Sequence, residues 1–170
     1  NLQTIPQGIV GTSYAVAAFP LLAQAFAKKS KEEFKKHLTK AARAIIFWTV
    51  PITFLFIVLR AQIVRVVLGT NTFSWENTRL VAAGLALFSL SIMAQSMIAL
   101  FSRTYYASGN TKKPLYINIT CSILIVVFSY TLIHLFQNFS YFRYFIESLL
   151  RVSDIKGTTV LMLPLAYSLG

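Results

Sequence analysis

Leu80 to Ser102, LVAAGLALFSLSIMAQSMIALFS, runs 23 residues without a charged side chain and is bounded by Arg79 and Arg103. A helix rises about 1.5 Å per residue, so roughly 20 apolar residues cross a hydrocarbon core about 30 Å thick. An unpaired charge inside that core costs at least about 2.5 kcal/mol. The stretch is long enough and free enough of charge to span. On either side of it, similar uncharged runs fill Asn1 to Ala27 and Pro114 to Ile133. Hydrophobic residues make up 56% of the 170, and the mean hydropathy is +0.63, more apolar material than a soluble core absorbs. The fold class that follows is all-α, a polytopic transmembrane helix bundle.

The spans are placed at about 5–27, 41–59, 80–102 and 114–136, with a fifth over 158–170. The uncharged core of the second, Ala44 to Leu59, is 16 residues, about 24 Å of helix. Arg43 and Arg60 must therefore snorkel to the two surfaces. Pro6 suits a first helical turn, whereas Pro20 and Pro51 are expected to bend their helices. The last apolar run, Gly157 to Gly170, is 14 residues, too few to cross, and the chain opens on Asn1 rather than Met. Residues 1–170 are thus expected to be an internal fragment of a larger helix bundle. The first run follows no basic region and is too long for a signal-peptide core, so no cleavable signal is expected.

The formal net charge of +11 sits almost entirely between the apolar runs, where it governs membrane topology and lipid contact rather than nucleic-acid binding. Seven Lys and Arg (28, 29, 31, 35, 36, 40 and 43) separate the first and second spans, and Arg103, Lys112 and Lys113 separate the third and fourth. The opposite side carries Arg60, Arg65, Arg79, Arg143, Arg151 and Lys156. The positive-inside rule then puts the first and third connections in the cytoplasm. Ser30 with Glu33 forms a capping-box pattern, followed by Phe34, Leu38 and Ala41 or Ala42 at helical spacing. This reads as an amphipathic helix on the inner leaflet, its lysines meeting anionic phospholipids at about 1 kcal/mol each; the alternative is a solvated linker. Tyr141 to Val152 reads as a short interfacial helix on the other side.

At 100° per residue, Gln3, Gln7 and Tyr14 fall within about 40° on the first helix, beside a stripe of Thr4, Gly8, Gly11, Ala15 and Ala18. The small stripe admits a neighbouring helix. The polar stripe either lines a substrate cavity or supplies interhelical hydrogen bonds. The third span carries Ala82, Gly84, Ala86, Ser89, Ser91, Ala94 and Ser96, a packing pattern. All five acids, Glu32, Glu33, Glu76, Glu147 and Asp154, lie outside the spans, which leaves no intramembrane carboxylate for a proton or sodium ion. Cys121 stands alone mid-span, and His37 and His134 are isolated. No nucleophile with a base, metal-ligand spacing or phosphate loop points to an enzyme, a metal or a cofactor.

Three stretches together resemble the MurJ (MviN) lipid II flippases of the multidrug/oligosaccharidyl-lipid/polysaccharide exporter superfamily. Ile5-Pro6-Gln7-Gly8-Ile9-Val10-Gly11-Thr12, continuing to Ala18-Phe19-Pro20-Leu21-Leu22, is similar to the family's eighth span with its Pro-x-Gly-x-x-Gly opening and closing Pro-x-Leu. Pro51, then Ile63 to Gly69 and Phe73, resembles the ninth span and the loop after it. Most specific is Tyr105-Tyr106-Ala107-Ser108-Gly109-Asn110-Thr111-Lys112-Lys113-Pro114, similar to the family's Phe-Tyr-Ala-x-x-Asp-Thr-x-x-Pro turn. Asn110 replaces the usual Asp, keeping a capping oxygen and losing its charge. An arginine common in the family before Pro-x-Gly aligns near Asn1, so no cationic site is carried over there.

The resemblance implies a fragment of the C-terminal lobe, about spans eight to twelve, of a two-lobe flippase. Such a protein moves an undecaprenyl-linked precursor lipid from inner to outer leaflet by alternating access, for peptidoglycan biosynthesis. It would be multi-pass in the bacterial plasma (inner) membrane, with the remainder of its own transporter chain as partner. The readings that compete are a polysaccharide-unit flippase or multidrug antiporter of the same superfamily, and a non-transporting membrane scaffold. The charge count sets the orientation to be checked: in a Cys121→Ser background of the full transporter, cysteines placed between Lys28 and Arg43 should label only after the inner face is opened. Labelling in intact cells by an impermeant thiol reagent would reverse the topology.

Overall fold

In the computed structural model the described residues are 2, 4–68, 75–155 and 157–170. Gln3, Gly69 and Phe73 lie outside them. Among the described residues all regular structure is helical. Helix α1 covers Thr4–Ala27 and contains a π-helical turn, Gln7–Thr12. It is followed by α2 (Lys31–Val58), α3 (Arg60–Leu68), α4 (Trp75–Ser89), α5 (Ser91–Ala107), α6 (Lys112–Asn138) and α7 (Ser140–Leu150). A 3-10 turn, Thr158–Leu161, then leads into α8 (Met162–Leu169). The helices α1, α2 and α6 are each long and apolar enough to cross a membrane.

Two expectations change. The stretch 80–102 is not one straight helix: Glu76–Ser89 and Ser91–Ala107 meet at a 41° bend. Serines flank it. Ser89 Oγ donates to Leu85 O at 2.6 Å and Ser91 Oγ to Phe88 O at 2.7 Å, while the Leu90 N–H reaches Leu87 O at 3.3 Å. Hydroxyls that return to the preceding turn bend helices, because they compete for the carbonyls of the helical ladder. The basic segment after Ser30, in turn, is not a separate helix. It is the first part of α2, 28 residues long, about 42 Å at helical rise. Nothing in Phe34 to Ala42 breaks helix, so propensity carries straight through. The cap itself forms, with the Glu33 N–H donating to Ser30 Oγ at 3.4 Å.

The chain divides into two compact units, residues 1–53 with 92–120 and residues 54–91 with 121–170. In the first, Ala15, Ala18 and Leu22 of α1 pack against Ala41 and Ile45 of α2 and Leu100 of α5, all buried. Short side chains at spacings of three and four bring the backbones together. In the second, Ala83 and Leu87 of α4 join Phe136, Ile146, Leu150, Val152 and Met162 in one cluster. Phe88 meets Tyr167 edge-on at 5.5 Å between ring centroids.

Gly11 marks a close approach of α1 to α5 in the first unit. A Cβ built on it would lie 2.6 Å from Ser96 Cβ and 2.8 Å from Ser96 Cα, backbone that cannot yield, whereas a Cβ on Gly8 meets nothing within 4 Å. The physical reason is the π turn, whose i→i+5 bonds step less than 100° per residue and rotate Gly8 away from Gly11. Gly11→Leu should therefore cost about 1–3 kcal/mol through overpacking, while Gly8→Ala should be neutral or gain up to about 1 kcal/mol. Thermal unfolding of the purified full-length protein reads the difference; equal losses at both positions would contradict the α1–α5 contact.

Candidate functional site

The π turn places the polar residues of α1. A π turn inserts an extra residue into the helix and leaves a carbonyl out of register. Here Ser13 Oγ donates to Gly8 O at 3.4 Å. Below and above it, Pro6, Val10, Gly11, Ala15, Ala18 and Leu22 are buried. Gln7 and Tyr14 are half-buried at the border of that packed stripe, with the Tyr14 side chain against the Ala15, Ala18 and Leu22 cluster. Thr4, Gly8, Thr12 and Ser13 are exposed. Pro20 also faces outward within Ser13–Ala27. The arrangement can offer an amide and a phenol to a polar solute while the small face holds α5.

The turn between α5 and α6 is built as its residue types require. Gly109 has φ +72°, and the Gly109 N–H donates to Tyr106 O and the Asn110 N–H to Tyr105 O, both at 3.0 Å. This is the Schellman stop, which needs a residue in the left-handed region after the helix. Asn110 Oδ1 then accepts from the Lys113 N–H at 3.3 Å, capping α6. Pro114 is buried in the first turn of α6, whereas Tyr106 and Thr111 are exposed. Lys113 Nζ lies 5.6 Å from the Tyr105 ring centroid.

Sequence reasoning missed one polar cluster in the second unit. Glu147, placed on an interfacial helix, is only 2% exposed. Its Oε1 accepts from Arg143 Nε at 3.0 Å and from Thr158 Oγ1 at 2.7 Å. The i,i+4 spacing of Arg143 and Glu147 was the available signal; the Thr158 contact, between α7 and the following 3-10 turn, had none. Beside it Arg79 binds Asp154 through Nη1 at 2.7 Å and Nη2 at 2.9 Å, and also donates to the Arg151 carbonyl. The hydrogen bond from Arg79 holds the Asp154 carboxyl below the usual carboxylate range.

A family model described as "Lipid II flippase MurJ" matches residues 1–142. Among curated proteins, the chain is similar to a "Probable lipid II flippase MurJ" of Rhizobium tropici, 28% identical over 115 residues, covering 68% of this chain and 22% of that one. A protein of the same description from Rickettsia prowazekii is 25% identical, covering 73% of this chain and 24% of the relative. One from Thermotoga maritima is 24% identical, covering 96% and 38% respectively. The chain thus spans about a quarter of the length of the first two relatives. No solved structure matches it at a significant level.

Glu147 and Asp154 lie beyond the matched residues, and their part is read from geometry. Glu147→Leu leaves the buried Thr158 hydroxyl without its acceptor and should cost about 1–3 kcal/mol, seen as faster hydrogen exchange over 140–161. Asp154 adds a pH arm. Its folded pKa is depressed, so its contribution is present above the ordinary carboxylate value of about 4 and is lost as pH falls through the lowered folded value. Protection over 151–155, taken relative to the intrinsic exchange rate at each pH, should fall with acid in the wild type and be insensitive in Asp154→Asn. Unchanged exchange in Glu147→Leu would refute a structural part for the Thr158–Glu147 hydrogen bond.

Proposed function

We infer the activity from one premise: the chain belongs to the lipid II flippase MurJ family. The protein is a multi-pass membrane transporter segment. We propose that the full transporter moves an undecaprenyl-linked peptidoglycan precursor from the inner to the outer leaflet of the bacterial plasma membrane by alternating access. This segment supplies part of its C-terminal lobe. The observation that carries the reading is the extent of the match, which runs from the Pro6-x-Gly8-x-x-Gly11 stretch of α1 through the Asn110 turn and all of α6.

Within that reading α1 has two jobs. Its buried stripe seats the helix against α2 and α5, and its polar border, Gln7 and Tyr14, faces the transport route. A pyrophosphate left in hydrocarbon would cost many kcal/mol, so the route must hold water. Pro6, Gly8, Gly11, Pro20, Tyr106, Gly109, Asn110, Thr111 and Pro114 shape helices and turns rather than touch substrate. The lysine-rich start of α2 and the α5–α6 turn face the cytoplasm.

Accessibility separates a lining role from packing. In the full-length protein with Cys121 replaced by Ser, cysteine at Gln7 or Tyr14 should react with a small water-soluble thiol reagent, and added lipid II should slow that reaction severalfold. Cysteine at Leu87 or Ile125 should stay unreactive. If Gln7 and Tyr14 were as inert as those two positions in both inward- and outward-trapped states, α1 would not line the route.

A further inference from the structure

A cavity of about 690 Å³ opens where the end of α1, the turn before α2 and the last turns of α5 meet. Its apolar wall includes Ala25, Phe26, Phe34 and Tyr105, and its charged lining residues are Lys29 and Lys31. The Phe26 and Phe34 rings brace each other at 6.4 Å between centroids. Lys113, beside the Tyr105 ring, brings a further cation near the wall.

Lys29 occupies its place against its own backbone preference. The Lys29 N–H donates to Phe26 O at 2.9 Å and the Ser30 N–H to Ala25 O at 3.1 Å, the Schellman stop of α1. Lys29 therefore has φ +54°, where glycine is usual and a side chain costs roughly 1–2 kcal/mol. At Gly109 the same stop is made without that cost. Strain of this kind persists where the side chain is needed for something else.

We propose that this cavity binds one anionic phospholipid of the inner leaflet, with an acyl chain along Phe26, Phe34 and Tyr105 and the phosphate between Lys29 and Lys31. Charge complementarity selects this occupant. A neutral apolar molecule would leave both lysines unmatched, and a soluble anion would leave the aromatic wall wet. The cavity lies where the apolar part of α1 ends and the basic stretch from Lys28 begins, the depth at which acyl chain meets headgroup. Lys35, Lys36, Lys40 and Arg43 line a separate groove along α2 and attract anionic lipid without selecting one molecule. The inference rests on the cytoplasmic placement of this turn, which thiol labelling tests on its own.

Native mass spectrometry of the purified full-length protein, titrated with phosphatidylglycerol, phosphatidylcholine or glycerol phosphate, decides the matter. The expected result is one phosphatidylglycerol bound about tenfold or more tightly than phosphatidylcholine. Lys29→Gly with Lys31→Gln should remove that preference without lowering the melting temperature, because glycine suits the left-handed position. Lys36→Gln with Lys40→Gln, which leaves the cavity intact, should retain it. Equal losses in both double variants would reduce the site to diffuse electrostatics and overturn the proposal. So would retained preference in the Lys29 and Lys31 variant, displacement by glycerol phosphate at similar concentration, or no lipid retained because the rest of the transporter fills the cavity.

Discussion

In hydrocarbon no water is available to satisfy a backbone N–H or C=O, so every such group must be paired inside the protein. That constraint makes the chain helical and also governs each departure from regular helix. At the π turn of α1 a serine hydroxyl reaches a carbonyl five residues back. At the α4–α5 bend the hydroxyls of Ser89 and Ser91 return to the turn before them. Buried Thr49 and Ser96 do the same within uninterrupted helix, at 2.8 Å and 2.7 Å. Several hydroxyls of these spans are thus spent on their own backbones.

Packing meets a second version of the same difficulty. Lipid tails are as apolar as leucine, so burying an aliphatic side chain between helices gains little hydrophobic energy, and association depends on close van der Waals fit. Gly11 against Ser96, and Ala15 and Ala18 against Ile45 and Leu100, provide that fit. Because the close face of α1 is built from residues with almost no side chain, the larger polar groups are displaced to its border. Gln7 and Tyr14 stand there as a consequence of how α1 must pack.

The long apolar helices were legible because their signal is long: some twenty uncharged residues leave few alternatives. The α5–α6 turn was equally legible, since Gly109, Asn110 and Pro114 each have a strong local preference and the structure uses each accordingly. The bend at Leu90 was not. Serine also occurs within uninterrupted helix, as at Ser96, and only competition for particular carbonyls decides the outcome. The continuous α2 was missed because amphipathic and apolar patterns differ in sidedness while sharing one backbone. The rotation of Gly8 away from Gly11 required knowing that five residues, not four, close the turn. Glu147 was misjudged for another reason, because its burial depends on Thr158, a contact that no periodicity encodes.

The charges, excluded from the spans, gather at helix ends, and two of them occupy backbone positions suited to glycine. Lys29 and Arg151 both take left-handed φ, +54° and +58°, immediately after a helix. A cation there is offset in part by the exposed carbonyls of the last turn, yet glycine would serve the backbone better. Retaining Lys and Arg keeps charge at the membrane surfaces. In the reading proposed for α1, the groups this segment offers to the transport route, Gln7 and Tyr14, are neutral. For a passing anion that is an advantage, because a site must bind well enough to admit it and weakly enough to release it. An amide and a phenol hydrate and hydrogen-bond a phosphate without the Coulombic trap of a buried lysine. On the function and lipid site proposed above, the charge pattern and the neutrality of Gln7 and Tyr14 answer one requirement: strong electrostatics where lipid must be held, weak electrostatics where it must move.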